Sequence, residues 1–516
     1  MTDDHPTVYD QVLYPGQPFP QSHPDRLATV ASLYGMSPRP VPHCRVLELG
    51  CGCGHNVIPI AYQWPECELL GVDLSRRAIE EGRNEIAALG LTNIELRRLD
   101  IAEVTAELGR FDYIIAHGVY SWVPSAVRAK MLEIFKANLA PQGVAYVSYN
   151  CYPGAFPNDL ARRMMLFHVR GCADPAERVR ESRALLAFLA EASAENQIHG
   201  LILRAQHERI REKSDTLLFH DDLDAGATPF FLYEVVEEAA RHGLQYLADA
   251  TSPVLDPRIH SEPVRRMLER IPERELAVRE QYLDFTNGRG FRNTLFCHDD
   301  VDLRRGVGPA DVARYCLSAL VERAPGTGPS PDATAEFTAA RGASLSTDHP
   351  LSKYALAYLG DAWPRAVSFT ELLDQSLARL GEAAHAIKAR LDEEIVALST
   401  VLFQAYAARL LDLHLYPPTR LTTSVSERPE ASRLAREQAK TAAVVTNLCH
   451  GRVALEGDLV RHFLLRLDGT RDLDQLVAEL NAAPRATGGV AGDAPLTREI
   501  VERNLEMLAR RGLLVA

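Results

Sequence analysis

The chain has 516 residues, 46% of them hydrophobic and 24% charged, with a formal net charge of −13. That length exceeds one ordinary domain and implies two or three. No apolar stretch approaches the ~18 residues that cross a bilayer, and the acidic balance argues against sequence-independent nucleic-acid binding, which needs a basic footprint.

Residues 1–40 open on Met1-Thr2-Asp3-Asp4-His5, without the basic-then-apolar form of a signal peptide. Prolines 15, 18, 20 and 24 and the aromatics Tyr9, Tyr14 and Phe19 predict an extended segment leading into a helix from Leu27 to Tyr34. It reads either as a lid over a ligand or as a packed arm. Val46-Leu47-Glu48-Leu49 then reads as a short buried parallel strand that breaks into Gly50-Cys51-Gly52-Cys53-Gly54. Alternating glycines let the backbone turn tightly and approach a ligand where a Cβ would clash. The helical pattern that follows, His55 to Trp64, aims a helix N-terminus at the same place.

A second strand, Leu69 to Val72, ends in Asp73, placed to accept both ribose hydroxyls of a nucleoside. A third, Ile94 to Leu99, ends in Asp100, placed to accept from an adenine amino group. A fourth, Phe111 to Ala116, runs into His117-Gly118, and a fifth, Val144 to Tyr149, ends at Asn150. Helices are expected over Ser75–Leu89 and Ser125–Leu139, each with a serine suited to cap its first turn. Polar residues at strand ends on one edge of an open sheet mark a ligand crevice. The next two strands are delayed. Residues 158–215 are helical and charged, Pro229 to Arg241 is helical, and a further helical insert covers 258–284. The segment 244–248 reads as a strand and 291–297 alternates like one, and together they are expected to close the sheet.

Pro, Gly and Ser between Arg323 and Thr347 suggest a linker, and 484–495 suggests a mobile loop. The division expected is a lid segment 1–40, a ligand-binding core 41–155, and a helical insertion with the last two strands over 156–305. A linker region, 306–347, and a mainly helical C-terminal winged-helix-type domain, 348–516, complete it. Nine cysteines with no CxxC pair argue for reduced thiols, a cytoplasmic address and no metal site. Only six of the 56 basic residues are lysine, a bias that a GC-rich genome explains.

The order Glu48-x-Gly-x-Gly-x-Gly, then Asp73, then Asp100 resembles the class I S-adenosyl-L-methionine (SAM)-dependent methyltransferases. An NAD-binding fold also wants glycines followed by Asp, but Glu48 before the loop, Asp100, and Phe-Asp opening the fourth strand fit the methyltransferase pattern better. Longer strings narrow the resemblance: Tyr9 to Pro15, Gln21 to Thr29, His117 to Pro124, Tyr149 to Gly154, Gln281 to Phe285, Phe291 to Leu295 and Cys297-His298. These are similar to bacterial methyltransferases with a methyltransferase regulatory domain and a C-terminal winged helix, among them the outer-membrane-protein lysine methyltransferases. The resemblance implies an α/β fold with a Rossmann-like seven-stranded sheet and helical insertions, SAM as cofactor, and a homodimer.

The cofactor-binding set expected is Tyr14, His23, Glu48, Gly50, Cys51, Gly52, Asn56, Asp73, Leu74, Asp100, Ile101, His117 and Gly118. For His117 the resemblance implies a backbone contact. His23 and His117 could otherwise remove a proton or bond backbone. Tyr120, Trp122, Tyr149 and Tyr152, leaving the fourth and fifth strands, are expected to line an aromatic channel that strips water from an amine. The Asn/Asp-Pro-Pro-aromatic signature of base and glutamine methylation is missing, since Asn150 continues into Cys151-Tyr152-Pro153. The leading expectation is an N-methyltransferase acting on lysines of a bacterial protein, without membrane insertion or nucleic-acid partner. Modification of a peptide or secondary metabolite is the alternative. A SAM-responsive DNA-binding regulator is disfavoured, because Arg503, Arg510 and Arg511 make no basic face.

Overall fold

The computed structural model describes residues 14–224, 226–324, 333–339, 342–482 and 495–516. The string from Tyr9 to Leu13, all of 325–332 and all but the last residue of 484–495 therefore lie outside the described residues.

Seven strands make one sheet: β1 (Arg45–Leu49), β2 (Glu68–Asp73), β3 (Ile94–Arg98), β4 (Phe111–Ala116), β5 (Leu139–Asn150), β6 (Leu244–Asp249) and β7 (Phe291–His298). Their order is β3-β2-β1-β4-β5-β7-β6, with β7 antiparallel to both neighbours and the others parallel. The expected closing pair is thus β6 and β7. Central strands are apolar at nearly every position because helices cover both faces. Strand order reverses between β1 and β4, so the C-terminal ends of these two strands flank a crevice.

Helices α1 (Pro24–Leu33), α2 (Val57–Gln63), α3 (Arg76–Leu89) and α4 (Ser125–Asn138) pack on the sheet. Ser75 caps α3 through its Oγ, which accepts from the Ala78 N–H at 3.1 Å. Ser125, expected as a cap, is instead the first helical residue of α4, behind Pro124. Helices α5 (Phe156–His168), α6 (Pro175–Ala192), α7 (Ile198–Arg211) and α8 (Asp215–Asp222) form the insertion, with a small core of their own around Met165, Leu186 and Leu218. The chain returns from it by lacing the ends of β4 and β5: the Thr228 N–H donates to Ser121 O and the Phe230 N–H to Asn150 O. Helices α9 (Leu232–Arg241), α10 (Glu262–Leu268) and α11 (Leu276–Asn287) follow.

Residues read as a linker carry structure of their own. Cys316–Ser318 pairs with both 367–368 and 412–414, and 321–323, 335–339 and 344–347 form a three-stranded sheet. Strands of three to five residues are too short to show a period, which is why composition dominated the reading. Val312, Leu317, Phe337 and the helices from Pro350 to Ala407 join the core of the sheet domain. A separate core is built from residues 431–514. This last unit docks on α2 and α3: the Gln63 amide donates to Leu448 O at 3.1 Å, Arg433 to Ala88 O at 2.8 Å, and the Gln438 amide to Glu85 at 3.1 Å.

Candidate active site

The turn after β1 positions the site. Gly50 has φ +71°, and a Cβ there would come within 2.5 Å of the Val119 side chain after β4, so only glycine fits. The Gly52 N–H donates to Asp73 Oδ2 at 2.8 Å, while the Ser75 N–H donates to Asp73 Oδ1 at 2.8 Å. Asp73 is therefore held rigid by backbone on both sides. Asp100 is fixed in the same way by the Ala102 N–H at 2.8 Å.

Glu48 is 3% exposed, and burial pushes its carboxyl up to about 8. Its Oε1 accepts from the Asn56 amide at 2.8 Å, whereas its Oε2 has no partner among the described residues. An orphaned buried carboxylate oxygen is costly unless a ligand completes it.

These groups open into one cavity of about 800 Å3. It brings together Tyr14, Glu48, Gly50, Cys51, Gly52, Asn56, Asp73, Leu74, Asp100, Ile101, His117, Gly118 and Trp122. Residues 14–19 contribute Tyr14, Gly16, Gln17 and Phe19, so the N-terminal segment borders the cavity directly. The Phe19 ring stacks on His117 at 3.5 Å between centroids. His117 Nδ1 lies 2.8 Å from Tyr146 Oη, whose own O–H donates to Asn293 Oδ1; His117 must therefore donate, and its neutral ring is fixed in one tautomer. Burial pulls its pKa down to about 3, which makes it a poor base at neutral pH.

Four expected residues are placed elsewhere. His23 is not part of the cavity lining; its Nδ1 accepts from the Asp25 N–H at 3.2 Å and caps α1. Tyr120 and Tyr149 are 3% and 1% exposed and pack with Phe230, with centroids 5.4 Å and 6.4 Å from it. Tyr149 Oη bonds Thr294 Oγ1 at 2.9 Å. The reason is strand parity: Tyr146 and Ser148 reach His117 and the Gly118 N–H, so Tyr149 faces the other side of β5. Tyr152 also lies off the lining, 5.3 Å from Phe231, although its Oη is 3.5 Å from the lining carboxylate of Asp159. Among the four expected aromatics, Trp122 lines the cavity.

In place of an aromatic channel, the helical insertion supplies a charged wall that sequence reasoning missed: Asp159, Arg162, Arg209, Lys213, His220, Asp221, Asp222 and Asp224. Arg162 pairs with Asp159 at 2.6 Å, Arg209 with Asp222 at 2.6 Å, and Lys213 with Asp222 at 2.7 Å and Asp221 at 2.9 Å. The Tyr14 ring meets the His220 ring edge-on at 5.7 Å, tying the N-terminal segment to α8. The string Asp221-Asp222-Leu223-Asp224 was the available signal, and it falls between the charged helical segment 158–215 and the helix from Pro229, where the sequence was given no reading.

Comparison with known proteins agrees with this fold. Residues 40–202 match a methyltransferase domain, 214–298 a predicted methyltransferase regulatory domain, and 427–488 the PKMT C-terminal winged helix domain. An uncharacterised protein of Rickettsia prowazekii is 30% identical over 485 residues, spanning 92% of this chain and 85% of the relative. A second protein of that organism is 34% identical over 241 residues, spanning 46% of this chain and 96% of its own. The structure of PKMT2 from Rickettsia typhi superposes with a TM-score of 0.85 at 26% identity, covering 98% of this chain and 100% of that one. Its complex with AdoHcy gives 0.84 over the same shares of the two chains.

Proposed function

The chain belongs to the bacterial class I SAM-dependent methyltransferases that carry a regulatory domain and a PKMT-type winged helix, and from that premise we propose that it methylates lysine side chains of a bacterial protein. The observation that carries this reading is the continuity of one cavity from Glu48, Asp73 and Asp100 to the carboxylates of the insertion. The full-length likeness to PKMT2, a protein lysine methyltransferase, supports it.

The residues present fit the cofactor. Asp73 would hold the ribose hydroxyls, Asp100 the adenine edge, the Gly50–Gly52 backbone the methionine part, and the orphaned Glu48 oxygen its ammonium. When bound, SAM supplies a methyl group on a positively charged sulfur. Although Lys213 and Arg209 pair with Asp221 and Asp222, the wall's four carboxylates outnumber its three cations, and that excess would attract the acceptor ammonium. Nearer the strand ends, Val119, Trp122, Val123, Val127 and Phe291 provide an apolar lining that disfavours the protonated amine and so helps release its lone pair. Holding that amine in line with the methyl accounts for most of the rate in such a reaction.

We place the enzyme in the cytoplasm: its nine cysteines are free thiols, and Cys44 and Cys67 lie buried with Sγ atoms 3.1 Å apart. Among the described residues no helix is long and apolar enough to cross a membrane. A homodimer with no nucleic-acid partner is the expected assembly, which sedimentation with and without duplex DNA would check. Incubation with methyl-labelled SAM and a lysate tests the reaction itself. Label in protein supports lysine methylation, whereas label confined to small molecules favours the metabolite alternative.

A further inference from the structure

The winged-helix unit touches two residues that line the cofactor pocket, Gln17 through Arg452 and Asn56 through His450. Its hairpin pairs Val444–Thr446 with Arg452–Ala454, and the turn between them is pinned by Asn447, whose Oδ1 accepts from the Cys449 and Gly451 N–H groups at 3.0 and 2.6 Å. At the tip His450 adopts φ +58°, a conformation that a non-glycine residue holds only at a cost. Its ring is 3% exposed and lies with Nε2 2.9 Å from Asn56 Oδ1. That oxygen also accepts from the Phe19 N–H at 3.0 Å, and the Asn56 amide nitrogen donates to Glu48 Oε1 at 2.8 Å.

Donor and acceptor roles follow without ambiguity. The Phe19 N–H can only donate, so the Asn56 oxygen accepts, its nitrogen donates to Glu48, and His450 presents Nε2–H. The other nitrogen, Nδ1, has no partner among the described residues, and burial with His23 nearby keeps the ring neutral. His450 thus joins the Phe19 N–H and Ser22 Oγ in holding the Asn56 amide, and is the contact that the winged helix contributes. That in turn holds Glu48, a residue of the cavity lining, with Oε1 engaged and Oε2 unpartnered among the described residues.

We propose that His450 is a positioning residue for the cofactor: the winged helix completes the SAM site by locking Asn56, and through it Glu48, in the orientation that receives the methionine ammonium. Among the described residues no other side chain of the hairpin bonds Asn56. The proposal rests on the cofactor site alone and is independent of which acceptor is methylated.

Calorimetric titration of the full chain with SAM and with AdoHcy tests it, alongside thermal melts of each variant. His450→Gly relaxes the positive φ yet removes the donor, and His450→Gln offers an amide N–H at the same reach. Gln63→Ala weakens docking of the same turn without touching Asn56. The expected result is a Kd raised about tenfold by His450→Gly, restored to within about threefold by His450→Gln, and changed less than twofold by Gln63→Ala. The loss should appear in the KM for SAM rather than in kcat. Wild-type affinity in His450→Gly would overturn the proposal, as would an equal loss in Gln63→Ala, which would reduce the contact to docking.

Discussion

Gly52 donates its backbone N–H to the carboxylate of Asp73 at 2.8 Å, tying the turn after β1 to the end of β2. One side chain therefore shapes the glycine turn and lines the cavity, where the proposal assigns it the ribose hydroxyls. Replacing Asp73 by alanine removes both roles. SAM affinity should fall ten- to hundredfold, the equivalent of roughly 1.5–3 kcal/mol for a lost charged hydrogen-bond pair. Calorimetry giving an unchanged Kd would refute the ribose assignment.

The state of Glu48 makes two pH effects. Its folded pKa of about 8 lies above the ordinary 4.5, so the folded protein without cofactor binds the extra proton between those values. Stability should therefore decline as pH rises from 4.5 to 8, and Glu48→Gln should abolish that component. A cation received by Glu48 requires the ionised form, so SAM binding at pH 7 should release a proton. Affinity should rise between pH 6 and 7.5, by at most about tenfold per unit. Titrations in buffers of different ionisation enthalpy would expose the proton; its absence would contradict the pairing of Glu48 with the ammonium.

Tyr120 belongs to the packing between Tyr149 and Phe230. Tyr120→Ala should cost about 3–5 kcal/mol of stability, as large-to-small core changes do, while Tyr120→Phe should be nearly neutral in a thermal melt. A Phe variant that stays folded but loses turnover would return Tyr120 to the reaction.

Carboxylates of the insertion should govern the acceptor and not the cofactor. Asp221→Asn should raise the KM for a lysine-bearing protein by roughly fivefold, the ~1 kcal/mol of a partly exposed ion pair. Added salt should shrink that difference. A rise in the Kd for SAM instead would move Asp221 to the cofactor end.

Much of this was legible in the sequence, for physical reasons that can be named. Gly50 and Asp73 sit at the ends of apolar runs, Asp100 follows a strand that alternates over Ile94-Glu95-Leu96, and the closing strands 244–248 and 291–297 stand between helical patterns. Tyr149 was misread although its parity on β5, odd against Tyr146 and Ser148, already sent it to the other face. The insertion's wall was hidden because Asp159 and Asp222 lie far from the glycine loop in sequence and meet it through tertiary packing alone. His450 was hidden for the same reason, since nothing in Cys449-His450-Gly451 announces a contact with Asn56.

The central claim is lysine methylation of protein, and tandem mass spectrometry tests it most directly. The full chain would be incubated with SAM carrying a deuterated methyl group and a bacterial protein extract, in parallel with Asp73→Ala. The account predicts deuterated methyl groups on lysine Nζ of one or a few proteins, lost with Asp73→Ala. Labelled methyl groups found only on small molecules, or on residues other than lysine, would contradict it.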